Sequence, residues 1–451
     1  MKALKDLTIQ ELISTEITDC PCGKIHKMPI HGLELGSNAL ESIGRVFQEL
    51  TITRAFIICD QNTKQASFPL LLKELKKHSI PYQVFEFPEF HLEPDEQAVG
   101  SLIMAFDKSC DGILAVGSGV INDLAKVLAS ISERPLVTLA TAASMDGYAS
   151  NNASMIQNNL KVSLYYECAD VVIADTRILA ASPPDLLRAG LGDMLAKYTS
   201  ICEWRISHLV TGEYYCENVA DLVRHSLKRI LDLADDLLTG DLQAVEEVFL
   251  GLYKTGLAMG YAGISRPASG LEHYFSHVWE LMNLQRGKPS ALHGIQVALG
   301  TLYTVEIWQK LKKYRPDPKK ARSFVKNFDQ IKWENMVTRV YGHRAADEII
   351  NTATKEGRNS PAQHANRLNI IVNRWDDILQ IVEEELPVYE DLLSIMKKFS
   401  LPLTPHEIGM NDQDAYDALL ASREVRNKYV TSSLMWDLGI LYEIEFPHVP
   451  F

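Results

Sequence analysis

The sequence predicts an N-terminal α/β domain built on a parallel sheet, followed by an all-helical domain. Short apolar runs alternate with segments of helical periodicity as far as Asp175, which is typical of strands buried between helices. After Pro183 and Pro184 nearly all of the chain has helical periodicity, and 451 residues leave room for two cores. We therefore predict domains at 1–182 and 183–451, with the active site in the cleft between them.

The predicted strands of the first domain follow one another at regular intervals. A short extended piece with a turn and a helix start comes first, within residues 28–44. Apolar runs then predict strands at 55–59, 81–87, 112–119, 136–139 and 171–175, with helices at 67–78, at about 94–108 and from about Val120. Such alternation indicates a parallel sheet covered by helices.

Composition excludes several classes of protein. A net charge of −13 argues against nucleic acid or an anionic membrane as the main partner. No stretch approaches the roughly 18 unbroken apolar residues of a membrane span, and the N-terminal residues lack the apolar core of a signal peptide. The seven cysteines are an odd number and mostly lie in apolar segments, which favours reduced thiols. We expect a cytoplasmic protein.

The segment Cys20-Pro21-Cys22-Gly23, with His26 close behind, resembles a small metal clip. A structural zinc site normally needs four ligands, and the sequence contains no second cysteine pair. We therefore interpret this segment as a turn that enters a strand.

A phosphate-binding turn is predicted where the strand at 112–119 meets the next helix. Gly117 and Gly119 allow a tight turn and close approach of a phosphate, and the free N–H groups of the helix start face an anion. Asn122 stands where the usual dinucleotide fingerprint has its third glycine, so an ordinary tight turn is the alternative. Asp60, at the end of an earlier strand, suits a ribose hydroxyl and disfavours a 2′-phosphate; its alternative role is that of a helix N-cap.

A second candidate segment runs from Thr141 to Ser154 and is rich in small hydroxyl side chains, with Asp146 among them. Its composition fits the edge of a nucleotide site, although any solvated loop has a similar one. Asp193 follows Gly192 at what we predict to be a helix start, where an N-cap is the alternative role.

The histidines of the second domain are spaced for metal binding. His273 and His277 are four residues apart and share one helix face, while His293 opens the next apolar segment. Two helices that each present an imidazole to a shared space bind a divalent metal if a further ligand joins them, and Asp193 would supply it. The alternative is that these polar residues cap or bridge packed helices.

Five motifs together carry a resemblance to a known family. They are GSGVINDLAK (117–126), TAASMDGYAS (141–150), AGLGDMLAK (189–197), SGLEHYFSH (269–277) and LHG (292–294). In this order they resemble the superfamily of iron-containing alcohol dehydrogenases, glycerol dehydrogenases and dehydroquinate synthases. The segments DCPCGKIH (19–26), ECADVVIADT (167–176), RPASGLEH (266–273) and REVRNKYVTSSLMWDLG (423–439) are most similar to the bacterial sn-glycerol-1-phosphate dehydrogenases. The likeness spans residues 18–443, with an expanded region at 312–380.

The resemblance implies a Rossmann-like first domain, a dehydroquinate synthase-like fold and a set of site residues. It implies a metal on Asp193, His273 and His293. It also implies a pyrophosphate cradle of Gly117, Ser118, Gly119 and Asp123, and further cofactor contacts from Thr141, Ser144 and Ser150. Asp146 would lie near the nicotinamide and the substrate, and His277 would line the site. Ser118 replaces the middle glycine of the family pattern, which the turn should tolerate.

The implied reaction interconverts dihydroxyacetone phosphate and sn-glycerol 1-phosphate in a homodimer. Zinc, nickel and iron all suit two imidazoles and a carboxylate, and Asp60 favours NAD over NADP. Arg266, Lys161 and Lys197 are candidate cations for the substrate phosphate, with an ion pair as the alternative role for each. Proton return would use His277, Asp146 or bound water. The alternative functions are a glycerol-type dehydrogenase for an unphosphorylated polyol, a sugar-phosphate cyclase and a silent binding protein.

Overall fold

The computed structural model describes residues 3–28, 30, 32–88, 92–158 and 160–446. Eight strands lie in this part of the chain: β1 Gly32–Gly36, β2 Ala55–Asp60, β3 Tyr82–Phe87, β4 Gly112–Gly117, β5 Leu136–Ala140, β6 Asn152–Gln157, β7 Leu160–Tyr165 and β8 Val171–Asp175. The helices up to the second predicted domain are α1 Ile9–Ser14, α2 Ile43–Glu49, α3 Gln61–Lys77, α4 Glu96–Ala105, α5 Gly119–Ser132 and α6 Thr176–Ala180.

The rest of the described chain is helical. Its helices are α7 Pro184–Leu195, α8 Lys197–Thr211, α9 Glu217–Asp232, α10 Ala234–Leu238, α11 Leu242–Ala262, α12 Leu271–Gln285, α13 His293–Leu311, α14 Pro318–Lys326, α15 Gln330–Glu356, α16 Pro361–Asn373, α17 Trp375–Glu385, α18 Tyr389–Lys398, α19 Asp412–Ser422 and α20 Thr431–Asp437. Gly342, at φ +74°, interrupts α15. No helix among the described residues is long and apolar enough to cross a bilayer.

Six strands form one parallel sheet in the order β1-β8-β5-β4-β2-β3. Strands β4, β5 and β8 are buried along their whole length, because helices cover both faces of a sheet of this kind. The predicted architecture, a parallel α/β sheet followed by helices, is confirmed. The antiparallel hairpin of β6 and β7 was not predicted, since its polar composition favours a loop.

The chain divides into two compact units. The first comprises Met1–Met194 and Cys216–Ser265, and the second comprises Leu195–Tyr215 and Arg266–Phe451. The first unit therefore contains α9–α11 as well as the sheet. The domain boundary predicted from the change in sequence character lies between residues 182 and 183, so it assigns these helices to the second domain. These helices join the first unit because α11 packs against α6 and against the short 3-10 helix Gly147–Ala149.

Candidate active site

The predicted phosphate-binding turn lies at the carboxyl end of the sheet in the first unit. β4 ends at Gly117 and α5 begins at Gly119, with Ser118 between them. A Cβ on Gly117 would lie 2.5 Å from the Cβ of Ile121, so this close turn excludes larger residues. A Cβ on Gly119 would meet only Met145, at 3.7 Å, so its backbone is open to an approaching ligand. The geometry is that of a tight βα turn at a helix N-terminus, and its anion-binding role stays a prediction.

The hydroxyl-rich segment lies directly beside this turn. The hydroxyls of Ser118 and Ser144 are 2.5 Å apart, and the amide of Thr141 donates to the carbonyl of Gly117 at 3.2 Å. Ser150 is buried and its hydroxyl donates to the carbonyl of Gly147 at 3.1 Å. The structure thus brings Ser118, Ser144 and Thr141 together at the end of β4. Ser150 instead hydrogen-bonds to Gly147 and Asn152 within its own loop.

Asp123 is held by the protein itself. Its carboxylate accepts the amide of Ser154 at 3.0 Å and lies 3.5 Å from the Nζ of Lys126. Burial raises the pKa of Asp123, and the neighbouring Lys126 opposes that rise. Since an anion does not attract a pyrophosphate, these contacts favour a role in fixing the hairpin beside the turn. The cradle role of Asp123 stays a prediction.

Asp60 ends β2, the neighbour of β4 in the sheet. Its Oδ1 accepts the amide of Thr63 at 2.9 Å, and the Thr63 hydroxyl accepts the amide of Asp60 at 3.0 Å. Asp60 is therefore the N-cap of α3. Its position at the carboxyl end of a strand next to the glycine turn is also where a ribose-binding acid lies in dinucleotide folds. The ribose contact stays a prediction.

The expectation that Asp193 lies at a helix start is wrong. Asp193 is near the C-terminal end of α7, because the helix already begins at Pro184 and continues through Gly190 and Gly192. Its side chain is buried, and its Oδ2 accepts the amide of Asp146 at 3.0 Å. Asp193 is thus not an N-cap, and it fixes the backbone of the predicted nicotinamide-side residue Asp146.

In the second unit the three predicted histidines lie together. α12 carries His273 and His277, and α13 begins at His293. The ring centroids of His273 and His293 are 5.2 Å apart, those of His277 and His293 are 5.9 Å apart, and those of His273 and His277 are 6.4 Å apart. Two helices therefore present imidazoles to one small space, as the spacing predicted.

Acidic side chains orient these rings. The Nδ1 of His273 lies 2.8 Å from the Oε1 of Glu272, and the Nδ1 of His293 lies 3.2 Å from the Ser276 hydroxyl and 3.4 Å from the Oε1 of Glu280. The Nδ1 of His277 lies 3.5 Å from the other oxygen of Glu280. A carboxylate that takes the Nδ1 proton leaves Nε2 as the basic nitrogen, which is the usual support of a metal-binding histidine.

Glu272 is itself held firmly. It is fully buried, and it accepts the Thr199 hydroxyl at 2.6 Å and the Gly270 amide at 2.6 Å. Burial alone would raise the pKa of Glu272, but hydrogen bonds from His273 and Thr199 outweigh it and lower that pKa. Nearby, burial and the Glu272 charge raise the pKa of Glu203 to about 7. An anionic Glu272 is what a histidine ligand requires behind it.

Comparison with known proteins identifies the family. The model of the family "Iron-containing alcohol dehydrogenase" matches residues 34–183. The glycerol-1-phosphate dehydrogenase [NAD(P)+] of Geobacillus stearothermophilus is 30% identical over 333 residues, which cover 73% of this chain and 82% of that protein. The enzyme of the same name from Geobacillus thermodenitrificans is 26% identical over 407 residues and 90% of each chain.

The chain belongs to the glycerol-1-phosphate dehydrogenase family.

The solved structures agree with this assignment at the level of fold. The crystal structure of glycerol dehydrogenase from Schizosaccharomyces pombe has a TM-score of 0.59 and 16% identity, covering 91% of this chain and 89% of that chain. The family and the oxidoreductase class predicted from the sequence motifs are confirmed. The individual roles of the site residues in this family member stay predictions.

The predicted phosphate-binding cations have different surroundings. Arg266 is buried; it donates to both carboxylate oxygens of Glu213, at 2.9 and 2.5 Å, and to the Tyr429 carbonyl at 2.9 Å. Lys197 is buried and donates to the Ala268 carbonyl at 3.2 Å. Lys161 lies in the β6–β7 hairpin of the first unit. Arg266 therefore forms a structural ion pair with Glu213, which was its alternative role.

Sequence reasoning missed a group of basic residues in the second unit. A pocket of about 510 Å³ is lined by Arg358, Arg367, Arg423, Arg426 and Lys428, among others. The Nζ of Lys428 lies 3.3 Å from the carbonyl oxygen of Ser269, close to the start of the histidine helix α12. Burial, Arg266 and Arg426 hold the pKa of Lys428 well below its usual range. Three of these basic residues, Arg423, Arg426 and Lys428, lie in the segment REVRNKY (423–429), which resembles the family but in which no site residue was predicted.

Proposed function

We propose that this chain is a metal-dependent, NAD(P)-linked sn-glycerol-1-phosphate dehydrogenase that reduces dihydroxyacetone phosphate reversibly. The observation that carries the proposal is the buried Glu272–His273 pair beside His293, in a chain of this family. Two imidazoles whose Nδ1 atoms face carboxylates are suited to bind a divalent cation through Nε2. Silent binding proteins have no need to keep such polar groups buried together.

His273 and His293 would hold the metal, with Asp193 as third ligand. The two histidines are supported by their carboxylate partners, and Asp193 by the sequence resemblance. This set suits zinc, nickel or iron. The bound metal would polarise the substrate carbonyl, and the nicotinamide would supply the hydride.

The residues of this chain bind and orient both substrates. The βα turn at Gly117–Gly119 would hold the pyrophosphate through its backbone amides, and Asp60 would favour NAD by hydrogen bonding the ribose hydroxyls. His277, whose Nδ1 lies 3.5 Å from Glu280, would in its imidazolium form donate the Nε2 proton to the forming hydroxyl and be left as neutral imidazole. Asp146 is the second candidate for that proton transfer.

Lys428 and Arg426 would bind the substrate phosphate. Lys428 reaches from the basic pocket to the carbonyl of Ser269, near the start of the helix that carries His273. Burial and two neighbouring guanidiniums lower the pKa of Lys428, and a phosphate dianion beside it would favour the charged form and accept charge-assisted hydrogen bonds. Arg266 would not contact the substrate. It would instead hold Glu213, which lines the same pocket as Lys428 and Arg426.

The first experiment follows NADH absorbance with dihydroxyacetone phosphate, using chelator-stripped protein reloaded with zinc, nickel or iron. Oxidation that depends on the metal and is absent with plain dihydroxyacetone is the expected result. His273→Ala should abolish turnover and lower metal content together, while His343→Ala, an exposed histidine in the same unit, should change neither. Activity with the unphosphorylated ketone alone would establish the glycerol-type alternative, and a fully active His273→Ala protein without metal would refute the site.

The phosphate assignment has its own test. Lys428→Gln removes one charge-assisted hydrogen bond of about 1.5–3 kcal/mol, which corresponds to a loss of about 10–150-fold in kcat/KM for dihydroxyacetone phosphate. Any residual rate with dihydroxyacetone should stay unchanged. Lys313→Gln, at an exposed position of the same unit, is the matched control. An unchanged kcat/KM for the phosphorylated ketone in Lys428→Gln would exclude this lysine as the phosphate ligand.

A further inference from the structure

We propose that Cys20, Cys22, His26 and Cys216 bind a structural zinc ion in the first unit. One ligand atom from each of these residues lies within 4.8 Å of all the others. The cluster is made only of residues outside the proposed catalytic site. The sequence offers no fourth ligand near Cys20, Cys22 and His26, and the fold supplies one as Cys216.

The distances between the ligand atoms fit a tetrahedral ion. Zinc–sulfur bonds of about 2.3 Å and zinc–nitrogen bonds of about 2.0 Å give tetrahedron edges of about 3.8 Å between sulfurs and about 3.5 Å between sulfur and nitrogen. In the structure the Sγ atoms of Cys20 and Cys216 are 3.6 Å apart. The Nε2 of His26 lies 3.3 Å from the Sγ of Cys22 and 3.6 Å from the Sγ of Cys216. A zinc ion would need only small side-chain adjustments.

Local backbone structure brings three of the ligands together. The amides and carbonyls of Ile17 and His26 pair as an antiparallel bridge, with both N···O distances at 2.9 Å. Between them the amide of Gly23 donates to the carbonyl of Cys20 at 2.9 Å, in a turn where Gly23 has φ +78°. The bridge and the turn thus hold Cys20, Cys22 and His26 on one short closed loop.

The fourth ligand comes from a distant part of the chain. Cys216 is the N-cap residue of α9, and its side chain makes no capping hydrogen bond. An anionic thiolate at a helix N-terminus is favoured by the helix dipole. Cys20, His26 and Cys216 are buried, which shields the ligand set from solvent. A bound ion would therefore fasten the N-terminal loop to α9.

Neighbouring groups prepare the ligands for a metal. The Nδ1 of His26 lies 3.0 Å from the carbonyl oxygen of Tyr261, so Nδ1 carries the proton and the lone pair of Nε2 faces the sulfurs. The Nδ2 of Asn218 donates to the Sγ of Cys20 at 3.4 Å, a hydrogen bond that a zinc-bound thiolate would also accept. A closed set of three thiolates and one imidazole leaves no open position, which identifies the site as structural.

A disulfide is the main competing arrangement. The 3.6 Å separation of the Cys20 and Cys216 sulfurs is far longer than a disulfide bond of about 2.05 Å. Joining them would also leave Cys22 and His26 beside an oxidised pair. The four-ligand geometry therefore favours zinc over oxidation.

The test measures metal content and the spectrum of the cobalt-substituted full-length protein. The wild-type protein should bind one metal more than the catalytic site requires, with a sulfur-to-cobalt charge-transfer band and the visible bands of tetrahedral cobalt. Cys22→Ser and Cys216→Ser should lose that metal and both sets of bands, whereas Cys110→Ser, a buried cysteine elsewhere in the same unit, should keep them. His273→Ala should lose activity but keep the thiolate–cobalt spectrum, so this proposal and the proposed catalytic function fail separately.

Wild-type protein supplies the decisive measurement if a variant does not fold. A thiol-modifying reagent should release one zinc ion per chain to a chromogenic chelator, as the three cluster thiols react. Absence of thiolate–cobalt bands in the wild-type protein would overturn the proposal, and so would a disulfide between Cys20 and Cys216 in protein purified under reducing conditions.

Discussion

Gly190→Ala should destabilise the protein, although alanine is the better helix former. Gly190 lies inside α7, where alanine is favoured over glycine by about 1 kcal/mol. The new Cβ, however, would lie 1.9 Å from the carbonyl oxygen of Ala143. Carbon–oxygen contacts of this kind normally measure about 3.3 Å, so backbone must move by about 1.4 Å. The overpacking cost, about 3 kcal/mol or more because both partners are backbone, outweighs the propensity gain.

Gly100→Ala is the matched control. Gly100 also lies inside a helix of the first unit, α4, and a Cβ there would meet nothing within 4 Å. Urea unfolding should therefore show a gain of about 1 kcal/mol for Gly100→Ala and a loss of about 2 kcal/mol for Gly190→Ala. The moved Ala143 segment should also raise the KM for NADH. A Gly190→Ala protein as stable as Gly100→Ala would refute the claim that close backbone contact sets this position.

Substitutions at three further positions test other contacts. Glu213→Gln leaves the buried Arg266 guanidinium without its charged partner and should lower the free energy of unfolding by about 3 kcal/mol, measured by urea denaturation. Asp60→Ser keeps an N-cap but removes the acid, so the ratio of kcat/KM for NADPH to kcat/KM for NADH should rise. Asp60→Ala should raise this ratio similarly and also lose about 1 kcal/mol of stability, because it removes the N-cap as well. The two variants together distinguish the effect of the cap from the effect of the ribose contact. Glu272→Gln should weaken metal binding at His273 by about 10–100-fold in chelator competition, and unchanged affinity would exclude the carboxylate as its support.

Local patterns were sufficient for the elements of the parallel sheet. Buried parallel strands are continuous apolar runs, so β2, β4, β5 and β8 are visible without tertiary information. The β6–β7 hairpin was not visible, because its stability comes from partners outside it. One of these is the Asp123 carboxylate, which accepts the amide of Ser154.

The position of Asp193 shows a second limit of local patterns. Gly190 and Gly192 indicate a helix boundary by propensity, yet α7 runs through both. At Gly190 the reason is tertiary, because the helix lies against the carbonyl of Ala143 too closely for any side chain. A glycine chosen for close packing cannot be distinguished in sequence from one that ends a helix.

The sequence by itself determined the family, the α/β-then-helical order of the chain and the His273/His277/His293 cluster, since each depends on short-range spacing or on contiguous motifs. Only the tertiary structure decided which distant residues lie in contact. It paired Arg266 with Glu213, brought Lys428 to the helix of His273, and placed Cys216 beside Cys20, 196 residues away in the chain. The residues of each pair are far apart in sequence, so no helical or strand periodicity predicts their contact. Only the folding of the chain sets the distance between them.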